Sequence, residues 1–254
     1  FMIISHSKKF IFFKPLKVAG SSVEACLAKH CGEEDVLTGS DIDYERQQFD
    51  YVSRNNFDER GKPIFHMHTS PQLLYSMTDN TWDDYFKFTI VRNPWEMTVS
   101  YFWWCFYSPT NSVISKCYDA SEDSINEFST ITPSEEDSAD ALRTKFEQFI
   151  EAVGHFNTGP RGDEGFHRVI DWLSRSTCEF YDNADTIIRY ETLQEDYEKL
   201  CGVISLPKEM LPHLKANQRK SKIHYTDYYS DWSKIQVKMA FRDVISRFGY
   251  SFAT

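Results

Sequence analysis

The chain of 254 residues lacks a Walker A string, G-x-x-x-x-G-K-[ST], which argues against an ordinary ATP or GTP hydrolase. It also lacks a C-x-x-C pair or any zinc-type spacing among Cys26, Cys31, Cys105, Cys117, Cys178 and Cys201. Reduced, mostly buried thiols are therefore expected, and no metal site. Positive charge is scarce: 28 Lys and Arg stand against 38 Asp and Glu, a formal net charge of −10. That balance argues against nucleic acid or a polyanionic polysaccharide as the main partner. Long apolar runs are missing as well; the N-terminal one, Phe10 to Phe13, is cut short by Lys14. It is too short for a signal peptide or a membrane span, so a cytoplasmic protein with no membrane partner is expected. Phe1 ahead of Met2 reads as a remnant of recombinant expression. There is no internal repeat and no long low-complexity tract, and the length allows one full core, so residues 1–254 are read as a single domain. Oligomeric state is left open.

What is present is aromatic: 20 Phe, 14 Tyr and 6 Trp, enough for a large aromatic core with a few rings to spare for a ligand. Short apolar segments at 10–13, 64–68, 86–91 and 186–190 read as strands. Helical patterns occupy Ser22–His30, Ser70–Met77, Trp95–Phe106, Ala141–Val153, Gly165–Ser174, Leu193–Cys201 and Ser233–Phe248. This alternation predicts an α/β fold, a P-loop-like central parallel sheet with helices on both faces. In such sheets ligands bind at the C-terminal strand ends. Lys17, His68, Arg92 and Tyr190 all fall there, so one cleft is expected to gather them. Residues 108–140 break the pattern, with Glu122, Asp123, Glu127, Glu135, Glu136, Asp137 and Asp140 against Lys116 alone. They read as a solvated acidic insertion or, functionally, as a lid favouring a cationic substrate.

Lys17-Val18-Ala19-Gly20-Ser21-Ser22 follows the first strand and opens a helix. Backbone N–H groups and the positive end of the helix dipole then converge on one spot suited to a phosphate. The lysine precedes the small residues, the reverse of a Walker A loop. A second anion signal is Arg92-Asn93-Pro94-Trp95, where Asn93 can cap a helix, proline suits its first turn, and Ser100 lies about two turns along. A guanidinium and a hydroxyl there could grip one phosphate. Together the segments suggest a ligand with two separate anionic ends.

These residues resemble the sulfotransferases that use 3′-phosphoadenosine 5′-phosphosulfate (PAPS). Leu16 to Ser22 match that family's P-K-[TS]-G-[GT]-[TS]-[ST] loop, and Arg92 to Ser100 match its R-[ND]-P-x-x-x-x-x-S segment. Leu16 stands where proline is usual and Ala19 where glycine is. Ile188-Arg189-Tyr190-Glu191-Thr192-Leu193 resembles the segment near the adenine. Residues 217–229 and 248–252 resemble the C-terminal part of the group related to Golgi carbohydrate sulfotransferases. The resemblance implies that Lys17 places a cation at the leaving oxygens and that Val18, Ala19, Gly20, Ser21 and Ser22 hold the 5′-phosphate. It implies that Arg92 and Ser100 hold the 3′-phosphate, that one of Arg219, Lys220 and Lys222 closes over that phosphate, and that Tyr190 lies near the adenine. No metal is required. The product would be adenosine 3′,5′-bisphosphate.

A hydroxyl acceptor needs a base. His66 and His68 lie two apart on a predicted strand and so share a face. His68, nearer the strand end, resembles the family's catalytic histidine; the alternative is two structural histidines. Trp95, Tyr101, Phe102, Trp103, Trp104, Phe106 and Tyr107 are read mainly as core, one or two lining an acceptor pocket. The function expected is sulfation of a small-molecule hydroxyl in secondary metabolite biosynthesis, such as a cationic alkaloid of the saxitoxin type. A glycan or glycolipid acceptor is the alternative. A small-molecule kinase on a related sheet and a non-catalytic nucleotide-binding module are the other classes.

Overall fold

The structure is a computed structural model that describes residues 2–38, 53–65, 68–78, 82–107, 130–156, 165–214 and 219–253. The chain gathers into two compact units, the first made of Phe1–Arg92 and Glu179–Lys215, the second of Asn93–Cys178 and Ala216–Thr254.

The first unit holds a five-stranded sheet of β1 (Ile3–Ser5), β2 (Phe10–Phe12), β3 (Val36–Leu37), β4 (Phe86–Val91) and β7 (Thr186–Arg189), in the order β3-β1-β2-β4-β7. The strands expected at 10–13, 86–91 and 186–190 are its parallel part, β2 pairing β4 and β4 pairing β7. β1 and β3 were not expected; they add an antiparallel edge, which makes the sheet mixed. Apolar rings make the register legible: Phe12 stacks on Phe88 at 5.1 Å, directly across the ladder. The strand expected at 64–68 is not found at Ile64, Phe65 or His68. There the Asn56 side chain takes the place of a ladder partner, accepting from Phe65 N–H at 2.8 Å and donating to its carbonyl at 2.9 Å. His66 lies outside the described residues. The unit's helices are α1 (Gly20–Ala28), α2 (Pro71–Thr78) and α6 (Leu193–Val203).

The second unit contains α3 (Pro94–Tyr107), α4 (Ala139–Glu151), a hairpin of β5 (Val153–Phe156) and β6 (Gly165–Arg168), α5 (Val169–Cys178), a 3₁₀ turn at Tyr225–Tyr228, α7 (Asp231–Ala240) and α8 (Arg242–Phe248). Its core is aromatic: Phe102 of α3 meets Phe146 and Phe149 of α4 at 5.4 and 5.1 Å. Trp95, Tyr101, Phe102 and Trp103 are buried, as expected of most of that run. Two of its indoles find acceptors, Trp103 Nε1 donating to the Tyr228 hydroxyl at 3.0 Å and Trp95 Nε1 to the Lys234 carbonyl at 3.2 Å. The helix expected from Gly165 begins only at Val169, because Gly165–Arg168 pair antiparallel with Val153–Phe156. The helix expected over Ser233–Phe248 is two helices. The Ser174 hydroxyl donates to the Ala240 carbonyl, and the buried Phe241 turns the chain between them. Of the acidic stretch 108–140, residues 108–129 lie outside the described residues. At its end Asp137 is tied to Lys145 at 2.7 Å. No helix among the described residues is long and apolar enough to cross a membrane.

Candidate active site

The segment between β2 and α1 is shaped by a lysine that sequence reasoning passed over. The aliphatic stem of Lys14 crosses Gly20 so closely that a Cβ there would lie 2.4 Å from Lys14 Cγ. Gly20 thus admits a side chain as well as opening a helix. The Lys14 ammonium reaches Ser21 Oγ at 3.0 Å and Glu24 Oε2 at 3.1 Å, and both members of this ion pair are buried. A lysine ending an apolar strand, ten residues before a glutamate in the next helix, was the available signal.

Past Lys14 the backbone takes two left-handed steps, Lys17 at φ 59° and Ala19 at φ 61°. For residues with a Cβ each costs on the order of 1 kcal/mol, and such strain gathers at ligand-binding loops. α1 then starts with Ala19 as N-cap, which offers no side-chain acceptor. Ser22 N–H donates back to the Ala19 carbonyl at 3.0 Å. Gly20 and Ser21 fill the first two helical positions, whose N–H groups no helix carbonyl reaches. Ser22 Oγ accepts from Leu214 N–H at 3.3 Å.

Three of the other expected residues join this loop within the first unit. Arg92, buried at the end of β4, donates through Nη1 to the Lys17 carbonyl at 2.8 Å and lies over the Tyr190 ring at 3.8 Å. Tyr190 is placed by its own N–H, which donates to the Val91 carbonyl at 2.8 Å. Beyond it, Asp196 steadies the turn into α6, accepting from Arg189 N–H and the Thr192 hydroxyl. Burial opposes that charge, but these bonds and Lys199 outweigh it and hold the carboxyl below its usual range.

His68 Nδ1 lies 2.7 Å from the Lys14 carbonyl oxygen. A carbonyl only accepts, so Nδ1 carries the proton and, in the neutral ring, Nε2 is the basic nitrogen. The ring is thereby held in the tautomer whose Nε2 carries the available lone pair. Ser70, two residues on, caps α2 by accepting from Leu73 N–H at 3.3 Å.

The remaining expected residues belong to the second unit. Ser100 lies half-buried on α3. The Arg219 guanidinium donates to the Ile223 carbonyl and lies 5.2 Å from the Tyr228 ring centroid. Lys220 pairs with Glu135 at 2.9 Å, and Lys222 is exposed. Beside Lys220 is a cavity of about 500 Å³ lined by Trp103, Phe106, Glu135 and Glu136 among others. Among the described cysteines, burial pushes the Cys31 thiol up to about 12, and raises Cys26 and Cys201 as well.

A model of the sulfotransferase family matches residues 2–247. Among solved structures, a sulfotransferase from Alicyclobacillus acidocaldarius is similar at 13% identity with a TM-score of 0.36, over 94% of this chain and 93% of that one. No curated protein matches the chain. The family match runs through the lysine-first loop, the Arg92 segment and Tyr190 alike, and the chain belongs to the sulfotransferase family.

Proposed function

We propose that the protein transfers the sulfuryl group of PAPS to a hydroxyl of a small-molecule acceptor. The observation that carries this reading is the start of α1. It is a strained helix N-terminus whose cap residue makes no side-chain bond, with Lys17 two residues before that cap and Arg92 bonded to the Lys17 carbonyl. An anion completes such a terminus, and phosphate chemistry fits it best.

In this reading the acceptor O–H gives its proton to His68 Nε2 as its oxygen attacks sulfur in line. The S–O bond to the 5′-phosphate breaks, and the new negative charge develops on that phosphate. Lys17 and the N–H groups of Gly20 and Ser21 stabilise this charge, as fixed donors do where charge appears in a transition state. The resemblance assigns the 3′-phosphate to Arg92 and Ser100. Arg92 also pins the Lys17 carbonyl, so it acts on the loop's shape as well as its charge.

An organic cation is the acceptor class we favour, with saxitoxin-type alkaloids as its model. The net charge of −10 supports it. A carbohydrate acceptor is the second reading.

Calorimetric titration tests the donor assignment. Adenosine 3′,5′-bisphosphate is expected to bind without magnesium and more tightly than ATP; a magnesium-dependent preference for ATP would favour the kinase class instead. His68→Ala is expected to lower turnover by about 10²–10⁴ with bisphosphate affinity nearly unchanged. Near-wild-type turnover would remove His68 from the role.

A further inference from the structure

Lys14 touches both halves of the proposed chemistry. Its ammonium meets Ser21 and Glu24 on α1, and its backbone carbonyl holds the His68 ring. An ammonium can only donate, so Ser21 Oγ is the acceptor in the 3.0 Å contact. The Ser21 proton is then turned away from Nζ, and the hydroxyl is polarised by a neighbouring cation. Glu24 balances the Lys14 charge, with side chains 8% and 0% exposed for lysine and glutamate. The pair adds no net charge to the loop. Gly20 is what allows this, because any larger residue would meet the Lys14 stem.

We propose that Lys14 is a positioning residue, whose ammonium aims the Ser21 hydroxyl as a donor to the 5′-phosphate while its backbone carbonyl sets the His68 tautomer. This rests on the PAPS reading. It gives the buried ion pair a specific task, and it separates two functions of one residue: the first depends on the side chain, the second on a carbonyl that any residue at position 14 supplies.

The test is a double-mutant cycle read by calorimetric titration of adenosine 3′,5′-bisphosphate. Lys14→Met alone would strand a buried carboxylate, so the charges are removed together as Lys14→Met/Glu24→Leu, an exchange that buried pairs often tolerate. That variant and Ser21→Ala are each expected to weaken binding about tenfold, the worth of one hydrogen bond to a charged group. The triple variant is expected to be no weaker than either. The acid limb of the kcat/KM pH profile should coincide in wild type and Lys14→Met/Glu24→Leu, because the carbonyl that holds His68 remains. Additive losses, wild-type affinity in the charge-free variant, or a shifted acid limb would each overturn the proposal. Should the charge-free variant fold poorly, Ser21→Ala alone decides: unchanged bisphosphate affinity overturns it. A wild-type protein that binds no bisphosphate overturns the PAPS reading with it, whereas binding with additive losses overturns this proposal alone.

Discussion

The N-termini of α7 and α1 face the same physical problem and solve it differently. At α7, Ser230 accepts from Ser233 N–H at 3.3 Å and Ser233 Oγ accepts from Ser230 N–H at 2.9 Å, a reciprocal capping box. At α1, the cap position holds an alanine in a left-handed conformation with no side-chain bond. Its shape is maintained from outside, by Arg92 on the Lys17 carbonyl and by Lys14 on Ser21. A terminus that caps itself has nothing to offer a ligand. One built at a cost in strain and braced by two buried side chains is, in the proposed reading, completed by the anion of the donor.

A third site shows what that completion looks like. Asp35 accepts N–H bonds from His6, Ser7 and Gly32 and hydroxyl bonds from Ser5 and Ser7, at 2.7 to 3.1 Å. Burial opposes the charge, but these donors outweigh it and hold the carboxyl below its usual range. The chain here supplies its own anion.

Replacing Lys17 should have the largest effect on this contrast. Lys17→Met is expected to lower kcat by about 10²–10³, as removal of one transition-state donor does, measured as initial rates at saturating PAPS; retention of kcat would place the catalytic cation elsewhere. Asp35→Ala comes next, with a stability loss of about 3 kcal/mol by urea unfolding, since several buried donors lose a charged partner. The pH sign follows from the lowered carboxyl. Asp35 stabilises the fold fully above the unfolded aspartate value, about 3.9, and this contribution is lost as pH falls through the lower folded value. The urea midpoint should therefore fall more steeply on acidification below about pH 4 in wild type than in Asp35→Asn. Ser230→Ala should cost about 1 kcal/mol of stability, the usual worth of a cap, with turnover unchanged. The smallest effect is expected for Ala19→Gly. Relief of the positive φ should stabilise by about 0.5 kcal/mol after the added unfolded-state entropy is subtracted, measured as a rise in Tm. A fall would mean that the Ala19 conformation is not strained.

The sequence shows β2, β4 and β7 plainly because each is an apolar run ending at a polar turn, and those ends locate Lys17, Arg92 and Tyr190. β1 and β3 are too short, at three and two residues, to carry a periodic signal. The Ser174 bond that parts α7 from α8 comes from a residue 66 positions away, beyond the reach of a local pattern. Lys14 and Glu24 escape notice for a related reason. Charged residues in a sequence read as solvated, and only packing reveals a buried pair. The tautomer of His68 likewise depends on a carbonyl 54 residues distant.

The most direct measurement is transfer of radiolabelled sulfur from PAPS to a panel of hydroxyl-bearing organic cations and sugars, run without metal on wild type and Lys17→Met. Label should pass to an acceptor, to cations ahead of sugars, and be lost on Lys17→Met. Bisphosphate binding with no transfer to any acceptor, or transfer that survives Lys17→Met, would contradict the assignment of this loop as the sulfuryl-transfer site.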